Sequence, residues 1–389
     1  MKILIVNRTS KPLGFGGHKR HAHLQKLLKK RGIDVQLLIS NIDHTTNKTY
    51  SAKQSDEIKV VNLFFSGNSI LSRTLSILEF SIKLHFKKVD SYEYVIGSSP
   101  DLISAFSAYM LSLRLGCPFI FEVRDIWPLS ISELTNIKFG LNLLKLVESY
   151  LYQKSKLIIS TIPDLEQYFL DNNFQDQVKK IFILPQILIT KGLSETISRK
   201  TNNERLKVVY CGSIRHNNNL PDILEYLDFA AKKFGVFFDF TVIGKGSSKE
   251  HIENISKNLC FQTFFKDQLN SSREVINELA QYDIGVSYIK NAPLYKYGIS
   301  MNKSVDFLCS QTPLAIIGGE GVNTFYDFDK KFKLNYNLDS FADFFYNFYK
   351  YDDVKKENIS KHMKDYMIEK DQSNAISNLV QLLIKKDKI

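Results

Sequence analysis

Short apolar runs and amphipathic stretches alternate along the chain. In the first half, the apolar runs predict strands at residues 3–7, 34–39, 60–65, 94–98, 119–123, 157–160 and 180–184. Helical periodicity fills several of the intervals, as at residues 18–31 and 102–115. Because continuous apolar strands joined by helices are typical of parallel sheets covered on both faces, this half is predicted to be a doubly wound α/β domain.

The same pattern restarts after residue 205. Strands are predicted at residues 206–211, 239–243, 260–264, 284–288 and 314–317, and helices at 220–234, 249–257, 272–282 and 303–309. The chain from residue 340 onward is predicted to be helical. Residues 185–205 are polar and poorly periodic, which indicates a linker. We therefore expect one domain at residues 1–190, a second at 191–370 and a terminal helix at 371–389.

The composition fits two domains that each bury a core. The chain has 389 residues, of which 44% are hydrophobic. The apolar run at residues 2–7 is too short for a signal peptide, and no run reaches the roughly 18 residues of a membrane span. The four cysteines include no C-x-x-C pair, so we interpret them as reduced core thiols and expect no zinc site; they are Cys117, Cys211, Cys260 and Cys309.

Hydroxyl, amide, ammonium and carboxylate groups gather at residues 296–306, which read KYGISMNKSVD. A short apolar helix and a buried strand are predicted to follow, so this segment lies at a loop-to-helix junction. Free backbone N–H groups and the helix dipole favour negative charge there, and Lys303 adds a cation. Asp306, one turn further on, offers a carboxylate to sugar hydroxyls. Together these groups suit a nucleotide sugar.

A second cluster of ionisable residues follows the strand predicted at residues 119–123, where residues 119–130 read FIFEVRDIWPLS. The carboxyl end of a parallel strand is a typical place for chemistry, which favours a functional role for Arg124 and Asp125. The alternative is an ion pair of Arg124 with Glu122 or Asp125 that only shapes the loop. The two interpretations are compatible.

Together, these two segments resemble glycosyltransferase family 4, whose members have the GT-B fold. Residues 122–130 are similar to the E-V/I-R-D-L/I-W-P-E-S segment of bacterial members that build surface polysaccharides. Residues 298–306 are similar to their G-I-S-P-N-K-L-F-D segment. The resemblance implies two Rossmann-like domains that face a cleft, with the C-terminal helix crossing back to the first domain. It also implies that the first domain binds the acceptor and the second the nucleotide sugar.

The activity implied by the resemblance is a retaining transfer of a hexosyl or N-acetylhexosaminyl group from a nucleotide sugar, a UDP-sugar. The implied acceptor is a glycan or a polyprenyl-diphosphate-linked sugar in capsule or O-antigen synthesis. No cofactor and no essential metal is implied, since preorganised amides and cations can stabilise a leaving diphosphate.

The resemblance also assigns residue roles. In the first domain, Asp125 and Arg124 face the acceptor and the transferred sugar. In the second domain, Lys303 stabilises the leaving diphosphate and Asp306 binds ribose hydroxyls. The other donor contacts that it implies are Gly16, Gly17, Arg215, Gly244, Lys245, Ser300 and Asn302.

The chain departs from the family pattern in the second domain. Ser213 replaces an arginine, and asparagines occupy the region of a lysine that grips the diphosphate. Either Arg215 or a nest of backbone amides replaces those contacts, or the loop is only a polar turn that caps the next helix. Gly298 stands where many members have the first of two glutamates, and Met301 stands where the subgroup has proline.

Other motifs have structural alternatives. The glycine-rich residues 14–17 are otherwise a flexible turn, and Asp306 is otherwise a solvated helix residue. We interpret the D-x-D spacing of Asp327 and Asp329 as structural rather than metal-binding. Three histidines, a lysine and an arginine between residues 18 and 23 are interpreted as a basic helix face rather than a zinc site.

The net charge of +11 lies almost wholly in the first half. Residues 1–200 carry 27 basic and 17 acidic residues, whereas residues 201–389 carry 25 and 24. Residues 70–88 combine apolar residues at helical spacing with four cations, which suits a helix that packs on the sheet or lies on an anionic membrane. We therefore expect a cytoplasmic protein that is peripheral on the inner face of the cytoplasmic membrane.

Two other functions remain open on the sequence. One is a nucleotide-sugar epimerase with the same fold, like the enzymes that epimerise UDP-N-acetylglucosamine. The other is a basic scaffold protein without catalysis, as the sequence pI of about 9.2 suggests. No recognisable nucleic-acid-binding module is present in the sequence, so nucleic acid is not an expected partner.

Overall fold

Two compact α/β units make up the protein. A computed structural model describes residues 1–12, 20–43, 49–51, 54–67, 69–132, 138–186, 205–269, 271–325 and 327–386. The first unit comprises Met1–Ile187 together with Gln372–Ile389, and the second comprises Leu188–Asp371. Among the described residues, no helix combines the length and the apolar character needed to cross a bilayer.

The first unit is built on a seven-stranded sheet in which every neighbouring pair is parallel. Its strands are β1 (Lys2–Val6), β2 (Asp34–Ser40), β3 (Ile58–Val61), β4 (Tyr94–Ser98), β5 (Phe119–Val123), β6 (Leu157–Ser160) and β7 (Ile181–Ile183). The strand order is β3-β2-β1-β4-β5-β6-β7, so successive strands are added towards one edge of the sheet up to β3 and towards the other edge from β4 onward. The order therefore reverses between β1 and β4. Ligands of open α/β sheets bind beside such a reversal, at the carboxyl ends of the strands.

Helices connect these strands. They are α1 (Arg20–Lys29), α2 (Ile70–Phe86), α3 (Leu102–Leu115), α4 (Leu129–Ser132), α5 (Lys138–Lys154) and α6 (Leu165–Asp171). Local sequence sets the limits of α3: the Asp101 side chain accepts a hydrogen bond from the Ser104 amide, and Gly116 ends the helix with a φ of 66°. A 3₁₀ segment, Gln175–Lys180, precedes β7.

The last helix, α13 (Ser373–Lys386), belongs to the first unit. Arg31, just after α1, donates hydrogen bonds to the Ser373 carbonyl (2.5 Å) and to the Ser377 hydroxyl (3.0 Å). The Tyr94 hydroxyl, in β4, donates to the Leu383 carbonyl (3.1 Å). These contacts attach the end of the chain to the first sheet and to the end of α1.

The second unit has a six-stranded sheet, again with parallel pairs. Its strands are β8 (Leu206–Cys211), β9 (Phe238–Ile243), β10 (Thr263–Lys266), β11 (Ile284–Tyr288), β12 (Leu314–Ile317) and β13 (Lys333–Leu334). Its helices are α7 (Leu220–Phe234), α8 (Lys249–Ser256), α9 (Ser272–Leu279), α10 (Asn302–Cys309), α11 (Leu338–Tyr349) and α12 (Asp353–Glu369). The order β10-β9-β8-β11-β12-β13 reverses between β8 and β11.

The doubly wound α/β architecture predicted from the sequence is confirmed, and the strand limits differ most from the prediction at β3 and β10. β3 ends at Val61, because Phe64 and Phe65 continue the apolar run but are exposed, Phe64 by 85%. β10 begins at Thr263 rather than at residue 260, and Cys260 is exposed. The prediction of a core thiol was therefore wrong for Cys260, whereas Cys309 is buried.

One buried carboxyl group in the first unit serves no predicted function. Glu148, in α5, accepts hydrogen bonds from the hydroxyls of Tyr152 (2.9 Å) and Tyr168 (3.0 Å). Burial raises the pKa of Glu148 to about 8, and the tyrosine hydrogen bonds offset this only in part. The folded protein therefore holds this carboxyl group protonated at neutral pH, when an unfolded chain would have ionised it.

This difference predicts how Glu148→Gln changes stability with pH. The folded pKa lies above the unfolded one, so wild-type stability is lost as pH rises towards about 8. We expect the free energy of unfolding of Glu148→Gln, relative to wild type, to increase by about 2–4 kcal/mol between pH 5 and pH 9. Urea denaturation at several pH values measures the free energy of unfolding of each variant. Glu166→Gln, at an exposed position, is the control. An equal change in both variants would contradict the prediction.

Candidate functional site

The N-terminus of α10 lies beside the point where the second sheet reverses direction. Lys303 Nζ donates a hydrogen bond to the hydroxyl of Ser287 (3.1 Å), near the end of β11. The same Nζ lies 4.8 Å from the centroid of the Tyr210 ring, near the end of β8. The Tyr210 hydroxyl donates to the Ser213 carbonyl (2.9 Å), which fixes the ring under the ammonium group. Lys303 is thus positioned by both strands that flank the reversal.

The charge of Lys303 is not neutralised within the described part of the chain, where no carboxylate lies within ion-pair distance of it. Burial lowers the pKa of Lys303 to about 8, because desolvation disfavours the ammonium form. A half-buried cation without a counter-charge gains free energy when an anion binds beside it. The site therefore favours an anionic ligand.

The backbone around Lys303 adds unused hydrogen-bonding groups. No side chain caps α10 at Met301, and Asn302, the first helical residue, is exposed. The Ser300 hydroxyl oxygen is buried and has no hydrogen-bond partner in the described chain. The first amides of a helix have no partners within the helix, so this end of α10 presents donors next to the Lys303 ammonium group.

Two loops that follow β8 and β9 pack tightly against each other at the same edge of the sheet. The Ile214 amide donates to the Lys245 carbonyl (3.0 Å). A Cβ atom at Gly244 would lie 1.9 Å from the Gly212 carbonyl oxygen, and one at Gly246 would lie 2.0 Å from that of Ile214. Gly244, which was predicted to contact the donor, and Gly246 are thus both required for the contact between the two loops.

The predicted donor residues of the second domain all follow carboxyl ends of strands in this sheet. Arg215 is half-buried in the loop after β8, and Lys245 is exposed in the loop after β9. Asn218, from the region where the family has a lysine, donates from Nδ2 to the Ser213 carbonyl (2.5 Å) and so closes its own loop. Asp306 lies half-buried in α10. The predicted Gly16 and Gly17 lie outside the described residues.

In the first unit, the carboxylate of Glu122 is completely buried and accepts three hydrogen bonds. The donors are Arg20 Nε (2.8 Å), His21 Nε2 (2.6 Å) and the hydroxyl of Ser98 (2.6 Å). Arg20 also donates to the carbonyls of Leu184 (2.8 Å) and Pro185, just after β7. This cluster, Arg20–His21–Ser98–Glu122, joins α1, β4, β5 and the segment after β7.

Charge explains the protonation states of the cluster. Burial opposes ionisation of Glu122, but His21 and Arg20 outweigh it and hold the pKa of Glu122 well below its usual value. Burial lowers the pKa of His21, and the Glu122 carboxylate only partly offsets this. His21 Nδ1 is buried and has no hydrogen-bond partner in the described chain.

This cluster corrects two sequence interpretations. Arg20 and His21 are not part of a basic helix face, because both are buried against Glu122. The alternative of a direct Arg124–Glu122 ion pair is also wrong, because Glu122 pairs with Arg20 and His21, and Arg124 acts on Glu122 only through its charge. Arg20 and Glu122 are 102 residues apart, and no motif spacing indicates their contact. His18 and Lys19 lie outside the described residues.

Arg124 and Asp125 follow β5 directly. The Ser99 hydroxyl oxygen accepts hydrogen bonds from the amides of Arg124 (2.8 Å) and Asp125 (3.1 Å), and this holds the turn. Burial raises the pKa of Asp125 to about 6, although nearby hydrogen bonds and the Arg124 charge oppose the shift. A carboxyl group that titrates near neutrality can accept a proton from a bound hydroxyl group or donate one to it.

The D-x-D residues are engaged in local structure. Asp327 accepts from Lys333 Nζ (2.7 Å) and from the Thr324 hydroxyl. Asp329 accepts from the Lys331 amide (3.0 Å) and so begins a 3₁₀ turn. These contacts agree with the structural interpretation of the motif.

Helix α2 presents an apolar and basic surface. It buries Ser76, Phe80 and Leu84, and it exposes five large apolar side chains: Ile70, Leu71, Leu78, Ile82 and Phe86. Its one carboxylate, Glu79, accepts from the amides of Phe64 and Phe65 and pairs with Lys83 (2.7 Å). The exposed face of α2 therefore combines apolar side chains with the exposed Arg73, whereas Lys83 is paired with the only carboxylate of the helix.

The Glu122 cluster predicts a large stability difference between two Glu→Gln variants. Glu122→Gln removes the charge that compensates Arg20, so we expect it to lower the free energy of unfolding by about 3 kcal/mol or more. Glu57→Gln breaks only a surface contact with Lys29 and should change it by less than about 1 kcal/mol. Urea denaturation at pH 7 compares the two. Equal losses would show that the Glu122 cluster is not a stabilising element.

Comparison with known proteins identifies the fold but no family. No protein-family model matches the chain, and no curated protein matches it either. Among solved structures, it is similar to the sucrose-phosphate synthase of Thermosynechococcus elongatus, with 12% identity, a TM-score of 0.71, and 100% and 99% of the two chains covered.

Two further structures extend the comparison. A variant of S. aureus TarM in complex with fondaparinux, α-GlcNAc-glycerol and UDP matches with 12% identity and a TM-score of 0.66, over 98% of this chain and 99% of that one. The lipopolysaccharide outer core galactosyltransferase WaaB matches with 13% identity and a TM-score of 0.58, over 97% and 99%. The chain has two Rossmann-like units of parallel sheet and helices, which is the GT-B fold.

Proposed function

We propose that the protein is a retaining glycosyltransferase that moves a sugar from a UDP-sugar to a glycan or polyprenyl-diphosphate-linked acceptor in bacterial surface-polysaccharide synthesis. The observation that carries this proposal is the uncompensated Lys303 ammonium group at the reversal of the second sheet. The fold supports it, since a galactosyltransferase and a UDP complex are among the similar structures. The sequence resemblance to family 4 supports the finer assignment.

In this proposal, the donor diphosphate binds at the N-terminus of α10. Lys303 and the first amides of the helix bind its oxygens, with Ser300 and Asn302 beside them. Asp306, in the next turn, binds the ribose hydroxyls. Arg215, Gly244 and Lys245 belong to the adjoining loops, and their donor contacts stay predictions, as do those of Gly16 and Gly17.

The proposed reaction breaks the bond between the anomeric carbon and the diphosphate oxygen. The acceptor oxygen forms its bond to the same face of that carbon, and the acceptor proton passes to the leaving phosphate. No strong side-chain base is needed. Lys303 stabilises the charge that develops on the leaving group, which is where preorganised donors contribute most. Asp125 and Arg124 orient the acceptor.

We further propose that the exposed face of α2 binds an anionic membrane surface, where a polyprenyl-linked acceptor would be embedded. Its apolar side chains can enter the headgroup region, and its cations attract anionic lipid at about 1 kcal/mol each. The adjacent α3 and α5 also expose Leu113, Leu143 and Leu146, and α3 packs between α2 and α5.

The donor site predicts the effect of Lys303→Ala on UDP binding. Loss of a charged hydrogen-bond donor should weaken UDP about 10–100-fold in calorimetric titration. Because the pKa of Lys303 is about 8, wild-type affinity for UDP should fall as pH rises above 8, and that of Lys303→Arg should not. Lys361→Ala, at an exposed position in α12, is the control. Unchanged UDP binding by Lys303→Ala would refute the donor site.

Incubation with a panel of UDP-sugars separates the proposed transferase from an epimerase. A transferase releases UDP only when an acceptor is added, and the product keeps the anomeric configuration of the donor. An epimerase converts the donor to a new UDP-sugar with no acceptor present, which NMR of the donor alone detects.

The α2 surface predicts salt-sensitive binding to vesicles that contain phosphatidylglycerol. We expect the protein to co-sediment with them at low salt and to detach at high salt. The double variant Leu78→Glu/Ile82→Glu should bind at least fivefold more weakly, because it removes apolar contact and adds negative charge. Leu170→Glu, at an exposed position in α6, is the matched control. Equal binding by both variants would show that the α2 surface does not bind the membrane.

A further inference from the structure

Arg124, in the first unit, is a cation that lies near the carboxylates of Glu122 and Asp125 but is not bonded directly to either among the described residues. Its natural partner, Glu122, already accepts hydrogen bonds from Arg20, His21 and Ser98. Among the described residues, Arg124 forms no ion pair, not even with the neighbouring Asp125. Its Nε is buried and has no hydrogen-bond partner in the described chain.

The backbone groups around Arg124 are occupied, whereas its side-chain Nε has no hydrogen-bond partner in the described chain. The amides of Arg124 and Asp125 both donate to the Ser99 hydroxyl oxygen. The Arg124 carbonyl accepts from the Thr161 hydroxyl (3.4 Å). The backbone is thus held from both sides, and the guanidinium group follows the carboxyl end of β5, where ligands of parallel sheets bind.

A guanidinium group in this position favours one kind of ligand. Its planar set of N–H donors matches the oxygens of a phosphate or carboxylate, and its charge cannot be removed by deprotonation. A buried donor without a partner costs free energy. A ligand that accepts a hydrogen bond from Nε removes this cost. Of the two oxyanions, phosphate carries more charge and offers more acceptor oxygens.

We propose that Arg124 binds a phosphate group of the acceptor, so that the acceptor is a phosphate ester rather than a neutral glycan. This inference rests on the proposed function, because it names the chemical class of the acceptor. Arg124 would then hold the acceptor by its phosphate while the reacting hydroxyl group lies near Asp125.

Phosphate binding is tested on the full-length chain in a Lys303→Ala background, which removes the anion site proposed for the second unit. Calorimetric titration with inorganic phosphate should give a saturable curve. Adding Arg124→Gln should weaken phosphate at least tenfold. Adding Arg124→Lys, which keeps the charge but loses the planar donor set, should weaken it at least threefold. Arg273→Gln, at an exposed position in α9, should change it less than twofold.

The outcomes separate the alternatives. Equal phosphate affinity with and without Arg124→Gln, or no saturable binding in the Lys303→Ala background, would overturn the inference. Arg124-dependent binding of glucuronate in preference to phosphate would also overturn it, in favour of an acidic sugar. Thermal unfolding checks that each variant is folded, and Arg124→Lys decides the question if Arg124→Gln does not fold.

Failure of this inference is distinguishable from failure of the proposed function. UDP binding by wild type, with its loss in Lys303→Ala, tests the donor site and does not involve Arg124. If UDP does not bind but phosphate binding depends on Arg124, the first unit still has an oxyanion site and the transferase proposal falls. If UDP binds and phosphate does not, the acceptor is not recognised through a phosphate group.

Discussion

A fully buried carboxylate organises the first unit. Glu122 has no contact with solvent, so its charge must be compensated by protein groups, and Arg20 and His21 supply the compensation. Since these partners come from α1 and the carboxylate from β5, the pairing fixes a helix against the centre of the sheet. Arg20 extends the connection to the carbonyls after β7. Because Arg20 and His21 occupy the Glu122 carboxylate, Arg124 forms no direct ion pair with it.

The two units have a similar charged group at the same edge of their sheets. Each has, at the carboxyl edge of its parallel sheet, a cation that forms no direct ion pair among the described residues: Arg124 in the first and Lys303 in the second. Folding usually avoids such groups, because desolvation of an unpaired charge costs free energy. Their position beside the ends of β5, β8 and β11 is where an open α/β sheet binds ligands. This is why the proposed substrates are anionic at both sites.

Much of the fold was predictable because parallel strands buried on both faces are apolar throughout. The strands at residues 94–98, 119–123, 157–160, 206–211, 284–288 and 314–317 were predicted to the residue. The predictions failed where an apolar side chain is exposed instead of buried, as at Phe64 and Phe65. The two-residue β13 was missed, because so short a strand has no period of its own and depends on its pairing with β12.

The sequence by itself determined the doubly wound architecture and the segments that carry polar groups at strand ends, because both follow from local periodicity and from the geometry of parallel strands. It singled out Lys303, Arg124 and Asp125 through motifs. Only the tertiary structure decided which charges meet. Arg20 reaches Glu122 across 102 residues, and Tyr210 and Ser287 position Lys303 from two different strands. Such contacts depend on how the strands are ordered in the sheet, and the spacing of residues along a chain does not encode that order.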